Sequence, residues 1–298
     1  MRVFLTGATG FIGSAIIPEL LGAGHQVTGL VRSEAGTRAL IAAGVQVLHG
    51  TLDDVETLRQ GAAAADGVIH TAFIHDFKDL AAAGRTDLAA IAAFGAALAG
   101  SDRPLVVTSG TAHLPPGRSS TEDDAPDVQC PARHRIPSEE ATLALAQRGV
   151  RSCLIRLPPS VHGDGDHGFV PALIGVARAT TVSAYVGDGM NRWPAVHRRD
   201  AARLFRLALE SGTAGARYHG IADQGVPVRA IAEVIGRRLD LPVVSRSPQD
   251  AAAHFGWLAT FIGLDCPSSS ALTQERLGWK PVHAGLLADL DRPAYFAS

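Results

Sequence analysis

Lysine is nearly absent from this 298-residue chain: Lys78 and Lys280 are the only two, and the remaining basic residues are arginines. Tyrosine is equally scarce, occurring as Tyr185, Tyr218 and Tyr295. Cysteine occurs three times, as Cys130, Cys153 and Cys266, an odd number with no close pair, which argues against a disulfide framework and a cysteine-based zinc site. Charge of either sign is not in excess, with a net charge of -2. No global field therefore favours nucleic acid or an anionic membrane as a partner. No apolar stretch runs about 18 residues without interruption, so no membrane-spanning helix is expected. The N-terminus reads directly as a core strand, which leaves no room for a signal peptide and gives a cytoplasmic protein as the expectation. Aromatics make up 5% of the chain, which predicts a cleft lined mostly by aliphatic side chains.

What is abundant is small and apolar, with hydrophobic residues at 46% and 32 glycines. Three of those glycines matter first. Val3–Thr6 is apolar and β-branched, as a buried parallel strand should be. Gly7, Gly10 and Gly13 follow at the spacing G-x-x-G-x-x-G, and Phe11–Leu21 carries apolar residues at helical spacing until Gly22 and Gly24. Strand, tight turn and helix together aim backbone N–H groups and the positive end of a helix dipole at a pyrophosphate. A dinucleotide is expected there, held by Thr6, Gly7, Thr9, Gly10, Phe11, Ile12 and Gly13. The next strand, Gln26–Val31, ends in Arg32 and Ser33, where an acidic residue would hold a ribose 2′-hydroxyl. A guanidinium there pairs instead with a 2′-phosphate, so NADP(H) is expected in preference to NAD(H).

Strand and helix patterns then alternate. Strands are predicted at 45–48, 67–70, 105–108 and 152–157, and helices at 55–64, 79–99 and 138–148. Asp53 or Asp54 is placed to cap the helix at 55. The fold class is α/β, a Rossmann-type doubly wound parallel sheet with a smaller C-terminal substrate lobe. Residues 1–160 form the NADP-binding part, with 195–225 returning to it, and 161–194 with 226–298 form the lobe. Pro115–Pro137, rich in proline and charge, reads as a flexible cover over a site. Helices are expected at 169–179, 200–210, 228–239 and 270–277.

The chain resembles the extended or atypical short-chain dehydrogenase/reductase superfamily, of the NAD-dependent epimerase/dehydratase type. The motifs are Thr6–Gly13, Gly50–Asp53, Val68–Ala72, Val106–Thr111, Arg156–Gly163, Gly187–Gly189, Val196–Asp200 and Leu277–Pro281. The resemblance implies that Leu52 and Asp53 contact adenine. It puts Thr71 and Ala72 along the ribose and pyrophosphate, and Pro158, Ser160 and Val161 beside the nicotinamide. It gives Asp200 a structural duty, and Ser109 or Thr111 the serine/threonine role of donating to a substrate carbonyl.

The family's Tyr-x-x-x-Lys pair is missing. Arg135 stands at the tyrosine position and Glu139 at the lysine position. Arginine stays protonated and cannot act as a general acid. It can bind a substrate carboxylate or steady an oxyanion, while Glu139 can accept from ribose hydroxyls. A replacement acid is sought in His162, Asp166 and His167, the densest titratable cluster, with His113, His134 and His197 as alternatives. That cluster reads as turn chemistry and acid/base supply, without a metal. His113, Phe169 and Trp193 are assigned to the substrate, although a core position is the simpler reading for Phe169. The expected function is an NADP-dependent oxidoreductase reducing a small carbonyl or imine with a non-standard proton donor. The alternatives are a non-catalytic NADP-binding redox sensor and an epimerase or lyase. The expected partner is the small-molecule substrate, with a homodimer compatible with the helices flanking the sheet.

Overall fold

A computed structural model describes residues 1–76 and 79–297, so Lys78 lies outside the described residues. Strands β1 (Arg2–Thr6), β2 (Gln26–Val31), β3 (Gln46–His49), β4 (Gly67–His70), β5 (Pro104–Gly110) and β6 (Arg151–Leu157) alternate with helices. The helices are α1 (Gly13–Gly22), α2 (Glu34–Ala42), α3 (Val55–Ala64), α4 (Leu80–Leu98) and α5 (Ile136–Ala144). After β7 (Ser160–His162), α6 (Phe169–Thr180), β8 (Ser183–Val186), β9 (Arg192–His197) and α7 (Arg198–Ser211), the chain returns as β10 (Arg217–His219). All pairings in the seven-stranded sheet, ordered β10-β6-β5-β4-β1-β2-β3, are parallel. The doubly wound parallel architecture expected from the sequence is the one observed. Strand order reverses between β1 and β4, and clefts open at the carboxyl ends of strands beside such a reversal.

Side-chain alternation divides the core. Val3 and Leu5 face α1 and α7, with Ile16, Leu20 and Phe205, while Phe4 faces the opposite layer with Leu58, Ile91 and Phe94. By length and composition α4 is apolar enough to cross a membrane, yet it carries Arg85 and Asp87, and its Ala90, Ile91 and Phe94 are buried in that second layer. A third core, around Val170, Leu173, Trp193, Ile231, Phe255 and Phe261, lies in the C-terminal part. It is built from α6, β8, β9, β11 (Asp223–Pro227), α8 (Val228–Leu239), β12 (Val243–Arg246) and the short helical turns between Ala251 and Ile262. Asp200 accepts from the N–H groups of Val282 and His283, and its carbonyl accepts from Trp279 Nε1, tying α7 to the later chain.

The segment from Pro115 to Pro137 is not a loose cover. Ser120 N–H donates to the Pro267 carbonyl at 2.9 Å, and Glu122, 1% exposed, accepts from Thr273 N–H and its hydroxyl. Its residues bond the later chain at Asp265, Pro267 and Thr273 and the sheet at Arg156, so its composition reflects fastening. Asp54, not Asp53, caps α3, accepting from Thr57 N–H at 3.1 Å.

Candidate active site

A single cavity of about 770 Å³ runs across the carboxyl ends of β1, β2, β4, β5 and β6. At one end lies the glycine turn. Gly7 has φ +71°, and a Cβ there would sit 2.6 Å from Thr71 Oγ1 and 2.7 Å from Ala72 N. A Cβ on Gly13 would sit 2.0 Å from the Gly7 carbonyl oxygen. The turn is therefore folded as tightly as backbone allows. Among the described residues no acceptor meets the N–H groups of Phe11 or Ile12, which sit at the N-terminus of α1. That is a fitting cradle for a pyrophosphate.

Of the positions expected to hold the dinucleotide, Gly7, Thr9, Gly10, Phe11, Ile12, Gly13, Arg32, Leu52, Asp53, Thr71, Ala72, Pro158 and Val161 line the cavity. Arg32 is exposed at the end of β2, with no hydrogen bond or ion pair among the described residues. Four expected positions do not line it. Thr6 is fully buried, with Oγ1 2.6 Å from His70 Nδ1. Ser33 caps α2, accepting from Gly36 N–H. Ser160 is buried in β7. Glu139 is 1% exposed, and its carboxylate is turned away from any ribose by protein donors.

Those donors define the layer beneath the cavity. Glu139 accepts from Ser109 Oγ at 3.1 Å, His113 Nε2 at 3.0 Å, Arg156 Nε at 3.1 Å and Arg217 Nε at 3.3 Å, and it also pairs with Arg156 Nη2. Burial opposes its ionisation, but the bonds from His113 and Arg156 prevail and hold the carboxyl well below the usual range. An ionised carboxylate only accepts, which assigns the proton to His113 Nε2. Burial pushes the pKa of His113 itself down despite Glu139, keeping the ring neutral. Ser109 lines the cavity, but its O–H is given to Glu139 rather than held for a substrate. Thr111 is fully buried, does not line the cavity, and its Oγ1 has no hydrogen-bond partner among the described residues.

Arg135 lines the cavity. Its Nη2 donates to the Thr108 carbonyl at 2.6 Å, and its guanidinium carbon lies 3.9 Å from the centre of the Phe73 ring. Asp87 Oδ2 lies 3.8 Å from Nη1, while Asp87 Oδ1 is engaged by His70 at 3.0 Å. His134 and His75 also line this region, and burial with the nearby Arg135 charge lowers both, His134 to about 4.

The cluster at 162–167 separates. His162 is fully buried, with Nδ1 2.9 Å from Asp289, and does not reach the cavity. Asp166 and His167 do line it, and His167 packs edge-on to Phe11 at 5.6 Å. Asp166 accepts from Gly168 N–H at 2.7 Å and from the Tyr295 hydroxyl at 3.4 Å, and burial raises its carboxyl to about 6. His197, an alternative acid, instead stacks on His283 at 4.5 Å.

Of the residues assigned to substrate, His113 and Phe169 line the cavity, whereas Trp193 is fully buried core. Phe169 bridges the two settings, 5.6 Å from Trp193 and 5.2 Å from Phe261. Aliphatic residues such as Ile12, Leu30, Val31, Leu52, Leu157 and Val161 make up much of the lining, as expected, and Phe73, Phe169, Trp257 and Phe261 add an aromatic wall. Sequence reasoning missed Trp257, Phe261 and Tyr295, which lie in short irregular helical turns with no periodic signal.

The NAD dependent epimerase/dehydratase family model matches residues 3–221. An uncharacterised protein of Schizosaccharomyces pombe is 54% identical over 99% of this chain and 100% of its own. A 4-hydroxy-2-methyl-3-oxo-4-farnesyl-3,4-dihydroquinoline-1-oxide ketoreductase of Stigmatella aurantiaca is 28% identical over 86% of this chain and 80% of its own. Among solved structures, a dTDP-glucose 4,6-dehydratase from Streptomyces venezuelae with NAD and TYD bound superposes with a TM-score of 0.80, 19% identity, and coverage of 99% and 97%.

Proposed function

Because the chain belongs to the NAD dependent epimerase/dehydratase family, we propose that it is an NADP-dependent reductase of a small carbonyl or imine compound, with Asp166 as proton donor. The observation that carries this reading is one continuous cavity joining the glycine turn to a half-buried carboxyl and an aromatic wall. The backbone at Phe11 and Ile12 takes the pyrophosphate, and Arg32 takes the 2′-phosphate. NADPH, when bound, supplies a hydride to the acceptor carbon. Asp166, held by Gly168 N–H and Tyr295, keeps a proton to unusually high pH and delivers it to the acceptor oxygen or nitrogen. Phe169, Trp257 and Phe261 line the same cavity and give the substrate an apolar surface. The Stigmatella aurantiaca relative, named for ketone reduction, supports the reaction class. NADPH oxidation followed across a panel of carbonyls and imines tests it. Turnover with NADPH above that with NADH is expected, and tight NADPH binding without turnover on any member would overturn the reading.

A redox sensor is the second reading, favoured by the burial of Glu139 under Arg156 where a lysine would otherwise meet ribose. It requires partner affinity that changes between NADP+ and NADPH, with no turnover.

A further inference from the structure

Arg135 carries five N–H donors, and among the described residues one of them is satisfied. Nη2 is bonded to the Thr108 carbonyl. Among the described residues neither Nη1, 3.8 Å from Asp87, nor Nε has a hydrogen-bond acceptor. The side chain is 13% exposed, and the exposed part belongs to the cavity wall. A guanidinium so desolvated and so poorly bonded costs free energy unless an anion completes it. Its face is pinned by Phe73 at 3.9 Å, so the fork is already oriented. Neutral His134 and His75 flank it, and the nearest carboxylate, Asp87 at 3.8 Å, makes an ion pair with it but no hydrogen bond. The aromatic wall of Phe169, Trp257 and Phe261 shares the same cavity and accommodates an apolar body.

We infer that the substrate carries a carboxylate, which Arg135 binds, joined to an apolar or aromatic portion that rests against Phe169, Trp257 and Phe261. This rests on the reductase reading and narrows its substrate class to oxo or imino acids. One oriented planar cation suits a carboxylate, whereas a phosphate dianion would call for further positive charge. Arg135 is then a substrate anchor and not a proton donor.

The test is equilibrium binding to the NADP+-loaded protein of two probes of equal shape, 3-phenylpropanoate and 3-phenylpropanamide. The carboxylate is expected to bind at least about tenfold more tightly, as one charge-assisted pair provides. Arg135→Met should abolish that preference, and Arg135→Lys should retain part of it, while NADP+ affinity in both stays within about twofold as the check on folding. Equal affinity for the two probes in the unmodified protein, or a preference that survives in Arg135→Met, would overturn the inference. So would reduction of uncharged ketones that falls as far in Arg135→Met as reduction of oxo acids, since that would make Arg135 an oxyanion donor. Failure of the unmodified protein to bind NADP+ would instead remove the reductase reading, and this inference with it.

Discussion

Arg156 on β6 and Glu139 on α5 form a buried ion pair, with side chains 0% and 1% exposed, directly under the residues that line the cavity. Arg156 Nη1 also donates to the Asp124 carbonyl at 2.9 Å, so the pair fastens the 115–137 segment to the sheet. Two charges taken from water stabilise little on balance, but removing Arg156 leaves the buried Glu139 with neutral donors and only the partly exposed Arg217 as a cation. Arg156→Met is expected to cost about 3–5 kcal/mol in urea unfolding. Adding Glu139→Gln to that variant should recover part of the loss, because the amide no longer needs a cation. A cost below about 1 kcal/mol for Arg156→Met would show that the pair is not the fastening described.

Asp166 sets the expected pH profile. Its carboxyl, raised by burial to about 6, is protonated below that pH and ionised above it. A reduction that draws its proton from Asp166 should therefore be flat below about pH 6 and fall about tenfold per unit above it. Asp166→Asn should lower kcat by about 100-fold or more and remove that limb of the profile. Tyr295→Phe should shift the limb, because the Tyr295 hydroxyl donates to Asp166. An unchanged profile in Asp166→Asn would assign the proton to another group, with His167 next along the wall.

The parts of this protein legible in the sequence are those governed by local rules. The glycine turn is one, since its spacing, the strand before it and the helix after it all lie within Arg2–Gly22. Helix 228–239 is another, with its apolar stripe facing one core. What escaped depends on contacts across long separations. His162 looked like an available acid because its neighbours are titratable, yet its partner Asp289 lies 127 residues away. Trp193 sits in a polar stretch, but the polar neighbours are satisfied sideways. Asn191 bonds the Ile262 and Leu264 carbonyls and Arg192 pairs with Asp265, which leaves the indole in the core. Glu139 at the lysine position suggested a ribose contact, and only the fold reveals that Arg156 and His113 claim it first.

Arg32 should decide between the two coenzymes. It is exposed, lines the cavity and has no partner among the described residues. A charge-assisted bond to a 2′-phosphate contributes about 1.5–3 kcal/mol. Arg32→Ala is therefore expected to weaken NADPH binding about 10- to 100-fold while leaving NADH within about twofold. Fluorescence titration of both coenzymes measures it. Equal weakening for the two would mean that Arg32 acts on the shared part of the nucleotide, and the preference for NADP(H) would then lose its basis.

The glycine turn gives a graded prediction. A Cβ on Gly13 would lie 2.0 Å from the Gly7 carbonyl oxygen, backbone that cannot rotate away, whereas a Cβ on Gly10 would lie 3.1 Å from the same atom. Gly13→Ala must therefore prise α1 from the turn, at an overpacking cost of about 1–3 kcal/mol, and swing the Phe11 and Ile12 amides off the pyrophosphate. Gly10→Ala needs only a small give. Coenzyme affinity should fall in the order unmodified protein, Gly10→Ala, Gly13→Ala, with thermal unfolding dropping most for Gly13→Ala. If both variants bound coenzyme as the unmodified protein does, the diphosphate would have to lie elsewhere along the cavity, and the assignment of Phe11 and Ile12 would fail with it.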